Sequence, residues 1–423
     1  MKHLHTLLFI MLGYAVQAQV AENAYQNIEP KVIEWRHDIH QHPELSNREF
    51  RTSKKVADHL RSLGMDVQTG IAHTGVVGLL KGKRPGKVVA LRADMDALPV
   101  EERNDLPYRS QEIGEFMGNK VPVMHACGHD THVAILMGVA EILAKNNDFA
   151  GAVKFIFQPA EEGPPPGETG AAKMMVEQGV LENPNVDAIF GLHINSGTHV
   201  GQINYKPGGT MAASQRFVIQ IKGKQAHGST PWQAIDPIVV AAQIVDGLQT
   251  LVSRNSELTK EAAVVSVGSI HGGVRFNIIP EDVEMIGTIR TLDPEMKEVI
   301  RERMKSLVPK IAEAYGAEAT VDIQDGTAIT FNDLELTKKM LPTLEKVAGK
   351  ENINLINAIT GAEDFSYYQQ KVPGLFFFLG GTPLDMNPAD APSHHTPDFI
   401  VDDSGMLLGV KAMTQLTLDY LGQ

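Results

Sequence analysis

Four apolar runs set the terms on which this chain can fold: KVVALRADMDAL, GAVKFIFQPAEE, VDAIFGLHI and, near the end, GLFFFLGG. Each is continuous rather than alternating, as expected of strands buried on both faces, and helical stretches separate them. That order predicts an α/β domain on a largely parallel sheet. The polar residues of the runs fall at or just past their carboxyl ends, where open α/β sheets collect ligands.

The middle of the chain breaks the pattern. From about residue 208 to 322 the sequence predicts a strand, SQRFVIQIKG, a helix over 236–252, a strand pair, AVVSVGSIHGG and DVEMIGTIRTL, a helix over 294–315 and a further strand. This order fits a small two-layer α+β domain, ferredoxin-like, with an antiparallel sheet. The expected division is therefore 19–207 and 323–423 for the larger domain and 208–322 for the insert, with the first domain resuming in a helix over 334–348. Near the start, helical spacing over 28–63 is interrupted at Pro43, and His40 and His42 beside that break read as structural or surface histidines.

Residues 1–18 carry a basic start, an apolar run from Leu7 to Val16, and small residues at Val16 and Ala18, the pattern of an export leader cleaved before Gln19. The run is too short to span a bilayer, so the mature chain is expected without a membrane span, in a periplasmic or secreted location. Removing it takes away Lys2 and no acid, leaving 37 Lys and Arg against 51 Asp and Glu, a balance of −14. Such a surface repels phosphate backbones, which argues against a nucleic-acid partner. The single cysteine, Cys127, excludes an internal disulfide and leaves metal ligation or a buried core thiol as its roles.

Chemistry concentrates in a few segments. HACGHD, residues 125–130, enters a helix, THVAILMGVAEILAK, whose amino end is expected to favour a Cys127 thiolate, with His129 two residues on. Glu161 and Glu162 end the strand AVKFIF; in extended chain one carboxylate would face a metal and the other the substrate, a division that suits a metal-activated water and its general base. His193 closes VDAIFGLHI, and His394 and His395 follow the last strand. A lone histidine at any of these places is more often structural, but four segments delivering Cys, His and Glu to one rim point to a metal site. Asp94 and Asp96 in RADMDALP end another strand, and Asp96 reads as a carboxylate orienting a ligating imidazole. His227 beside Ser229 in the insert lacks an acid partner and a nucleophile elbow.

With HACGHD, QPAEEGPPPGE, GLH, GKQAHGSTP, DPI, FNIIP, GTIRT, GAEDFSYY and HHTP in unbroken order, residues 37–403 resemble the amidohydrolase branch of the aminoacylase and carboxypeptidase metallopeptidases, which includes hippurate and auxin-conjugate hydrolases. The resemblance implies two divalent metal ions, zinc, manganese, cobalt or nickel, held by Cys127, His129, Glu162, His193 and His395, with Glu161 as general base. His395 rather than His394 directly precedes Thr-Pro, the family's position. The insert would be a lid and dimerisation domain of a homodimer, with His227 and Asn277 reaching a partner's site to polarise the scissile carbonyl and Arg290 gripping a substrate carboxylate. Arg275 stands where the family has a small or uncharged residue. The implied reaction is hydrolysis of the amide bond of N-acyl amino acids or similar small amides. The alternatives are a dipeptidase or carboxypeptidase, a non-catalytic periplasmic binding protein, for which Glu161 has no use, and a thiol hydrolase acting through Cys127.

Overall fold

In the computed structural model, which describes residues 20–422, the four apolar runs become the four inner strands of one eight-stranded sheet. Ala150–Gln158, Arg84–Asp94, Ala188–His199 and Gly374–Thr382 lie side by side and parallel. The flanks bring in antiparallel pairs: Asp66–Ile71 and Gly75–Lys81 on one side, and on the other Ile203–Tyr205, which runs against Gly374–Thr382 and is itself followed by Ile353–Leu355 in parallel. Residues 1–18, the expected leader, lie outside the described residues.

Alternate side chains of the inner strands serve two cores, as the period of two requires. Leu91, Phe155, Phe190 and Phe377 join a cluster closed by the helices Glu22–Gln41, His129–Lys145 and Met406–Leu421. Ala90, Ile156, Ile189 and Phe376 join a second cluster with Met175 and Tyr368. Both faces are covered, which is why the runs read as continuous. Burying each such phenylalanine contributes about 1.5–3 kcal/mol. The helix His129–Lys145 is buried from His129 to Leu143, so its amino end is held rigidly under the sheet's carboxyl edge.

The insert forms a separate four-stranded antiparallel sheet in the order Ala263–His271, Asp282–Thr291, Ala213–Lys222, Glu318–Asp325. The helices Pro237–Ser253 and Pro294–Ala314 cover it around a core of Phe217, Ile244, Ile289 and Ile300. Each starts with an aspartate cap and a proline: Asp236 accepts from the Ile238 amide at 2.9 Å and Asp293 from that of Met296 at 2.9 Å. A short ladder between Gly208–Met211 and Thr330–Asn332 marks where the chain passes in and out of the insert. No helix among the described residues is long and apolar enough to cross a membrane.

Candidate metal centre

Cys127 sits in the loop that enters the helix His129–Lys145, with Gly128 at φ 95° making the turn. Its Sγ lies 3.4 Å from His193 Nε2 and 3.3 Å from His395 Nε2. His395 Nε2 is also 3.0 Å from Glu162 Oε1. Two groups of donors result, Cys127–His129–His193 and Cys127–Glu162–His395, each with its atoms within 4.8 Å of one another and with the sulfur in common.

The protonation of these side chains suits cations. His193 Nδ1 is 2.5 Å from the Ile194 carbonyl oxygen, which can only accept, so the proton is on Nδ1 and Nε2 turns its lone pair toward the sulfur. His129 Nε2 is buried with no hydrogen-bond partner among the described residues. Burial works against charge on His129, but the Asp94 and Asp96 carboxylates outweigh it and hold its pKa up to about 10. A pocket acidic enough to keep a proton there is one in which a divalent cation can replace it.

Three expectations are corrected. The helix end does not make Cys127 a thiolate: burial, then Glu162 and Glu161, push its pKa well above the usual thiol range. Desolvation beside carboxylates exceeds the pull of the helix end, so only a bound cation would stabilise the thiolate. Nor do Glu161 and Glu162 diverge because the chain is extended. The strand ends at Gln158, Ala160 takes φ 54°, and the two glutamates stand in a turn whose amides donate to Asp96, Glu161 N to Oδ1 and Glu162 N to Oδ2, both at 3.0 Å. His193, similarly, does not close its strand, which continues to His199.

Asp96 also receives the Ser46 hydroxyl at 2.7 Å and lies 3.3 Å from His129 Nδ1, so one carboxylate aligns a ring and the glutamate turn together. His394 is committed elsewhere: Nδ1 faces the Cys127 carbonyl at 3.1 Å and Nε2 accepts from the Ser196 amide at 3.1 Å. Beside the cluster a cavity of about 500 Å³ is lined by Cys127, Glu161, Glu162, His193 and His395 and, from the insert, by Arg290, the only arginine or lysine among its described lining residues. His227 and Asn277 are brought together, the Gly228 amide donating to the Asn277 carbonyl at 2.8 Å, but neither lines this cavity.

The profile of Peptidase family M20/M25/M40 matches residues 90–419. The chain belongs to this family. It is 41% identical over 402 residues to thermostable carboxypeptidase 2 of Saccharolobus solfataricus, covering 94% of this chain and 98% of that one. It is 37% identical to the N-acetyl-L-cysteine deacetylase of Bacillus subtilis, over 90% of this chain and 86% of the relative. Among solved structures it is similar to a B. subtilis protein described as a dinuclear metal binding peptidase from the M20 family, at 34% identity and TM-score 0.77, covering 94% of this chain and 99% of that one.

In this M20 chain the residues that sequence reasoning missed lie beneath the cluster. Arg92, fully buried, donates to Gln158 at 2.8 Å, to Asp94 at 2.5 Å and to Asp364 at 2.9 Å, and pairs with Glu363 at 2.9 Å. Asp94 in turn holds His132 Nδ1 at 2.5 Å, and His132 Nε2 accepts from the Ile194 amide, next to His193. Burial, then Glu363 and Glu162, push the Glu161 carboxyl well above its usual range. The signals were present but unread: His132 stands three residues after His129 on one helical face, and Glu363 and Asp364 belong to GAEDF.

Proposed function

We propose that the protein is an exported metal-dependent amidohydrolase that cleaves N-acyl amino acids. The observation that carries this reading is the pair of donor groups sharing Cys127 beside a cavity that also holds Glu161 and Arg290. Sulfur, imidazole and carboxylate together suit zinc, and manganese, cobalt or nickel fit the same donors. Cys127, His129, Glu162, His193 and His395 would hold a pair of such cations. When bound, they would polarise the scissile carbonyl and acidify the attacking water.

The chain's own residues do the rest. Glu161, 3.8 Å from His129 Nε2, shares a donor group with His129 and Glu162 but none with Cys127; with cations bound beside it the carboxylate form would be favoured, and it takes the water's proton and passes it to the leaving amine. Arg290, in the same cavity, binds the carboxylate of the amino acid part. His227 and Asn277 act across a homodimer: the insert carries Val274 and Phe276 at 96% and 97% exposed next to them, an apolar patch that a second copy would cover. Products are a free amino acid and a carboxylic acid.

Glu161→Gln should lower kcat about 10²- to 10⁴-fold while leaving bound metal unchanged; a near-normal rate would place the base elsewhere. A second reading, peptide hydrolysis, is favoured by the 41% identity to a relative named a carboxypeptidase. Comparing N-benzoylglycine and N-acetyl amino acids with free dipeptides separates the two.

A further inference from the structure

Next to the metal cluster lies a second cavity, of about 690 Å³, whose described lining includes Glu162 but not Arg290. Its walls are Leu98 and Pro99, the stiff run at Pro164 and Pro165, and Phe116 and Met117 of a hairpin formed by Ile113–Phe116 and Asn119–Pro122. It shares Glu162, and no other lining residue, with the cavity that holds Arg290. A substrate whose amide lies at Glu162 would therefore extend into a different cavity at each end.

Two polar side chains of this wall are committed: Ser46 donates to Asp96, and Arg48 is paired with Glu168 at 2.5 Å. Glu115 adds an exposed carboxylate to the lining, and the rest of the wall offers an occupant mainly hydrocarbon. Phe116 is anchored against Leu45, Ala97 and Val123, fixing the base of the hairpin. Its tip is unusual. The two-residue turn is Met117–Gly118, with φ 52° and 77°, a conformation that favours Asn-Gly. Methionine there is strained and leaves a long apolar side chain 70% exposed. A strained residue that turns hydrocarbon into a cavity beside the reacting centre indicates a binding role, and methionine adapts readily to varied apolar shapes.

The geometry points to this cavity as the acyl subsite, receiving a hydrocarbon acyl group larger than acetyl from an N-acyl amino acid whose carboxylate lies toward Arg290. The assignment rests on the amidohydrolase reading. Its test compares kcat/KM for N-decanoylglycine and N-acetylglycine in the metal-loaded protein and in Met117→Asn, a variant whose new side chain suits the turn, with a thermal melt to verify folding. The wild type should prefer the decanoyl substrate by about tenfold or more, and Met117→Asn should lower that ratio by about tenfold. A wild type that prefers acetyl, or a ratio unchanged in the variant, overturns the assignment. Failure to cleave any N-acylglycine alongside good cleavage of dipeptides overturns the amidohydrolase reading itself and this subsite with it, and is recognised by its indifference to acyl length.

Discussion

Asp96 Oδ1 approaches His129 Nδ1 to 3.3 Å, placing a carboxylate at one ring nitrogen while the other, Nε2, faces the glutamates. The same carboxylate holds the backbone of Glu161 and Glu162. Asp96→Asn should therefore weaken metal binding about 10- to 100-fold, read by titrating activity and bound metal against free metal. Activity should return at high metal concentration. Unchanged affinity would show that ring and turn keep their places without the charge.

Arg290 is the only arginine or lysine among the described residues lining the cavity at Glu161. If it binds the substrate carboxylate, Arg290→Ala removes a charge-assisted contact of about 1.5–3 kcal/mol, a rise in KM of about 10- to 100-fold. The corresponding N-acyl amino acid amide, which lacks the charge, should be affected far less. Equal losses on both substrates would place Arg290 in a purely structural role.

The fold was largely legible because the inner strands are buried on both faces. KVVALRAD and AVKFIF read as continuous runs for that reason, and the insert announced itself by its change of order. What stayed hidden depends on distant partners. Arg92 looks like the polar end of a strand until Asp364, 272 positions away, is seen against it. Cys127 looks like a helix-end thiolate until the carboxylates around it are placed. His395 could be preferred to His394 only through the resemblance, whereas in the structure His394 is held by the Cys127 carbonyl and the Ser196 amide.

Of the two readings of His40, structural or surface, the structure has the structural one: the ring is buried between two acids, with Nδ1 2.9 Å from Asp130 and Nε2 3.1 Å from Glu102. Arg36, Tyr108 and His125 complete its surroundings. Burial opposes its charge, but the hydrogen bonds to Asp130 and Glu102 prevail and its pKa is raised. A raised folded value means that the folded state binds the proton more tightly. The stabilisation is complete below the unfolded value of about 6.5 and is lost as pH rises through the folded value. The stability gap between the wild type and His40→Gln, measured by denaturant unfolding, should therefore shrink as pH rises above about 6.5. A gap that widens instead would mean that His40 is neutral in the fold.

The claim beneath all of this is that Cys127, His129, Glu162, His193 and His395 act together on divalent cations. The most direct measurement strips the purified protein with a chelator and follows metal content and N-benzoylglycine hydrolysis on the same sample through add-back of zinc, manganese, cobalt or nickel. Activity should fall with the metal and return with it. Full activity in metal-free protein would contradict the account.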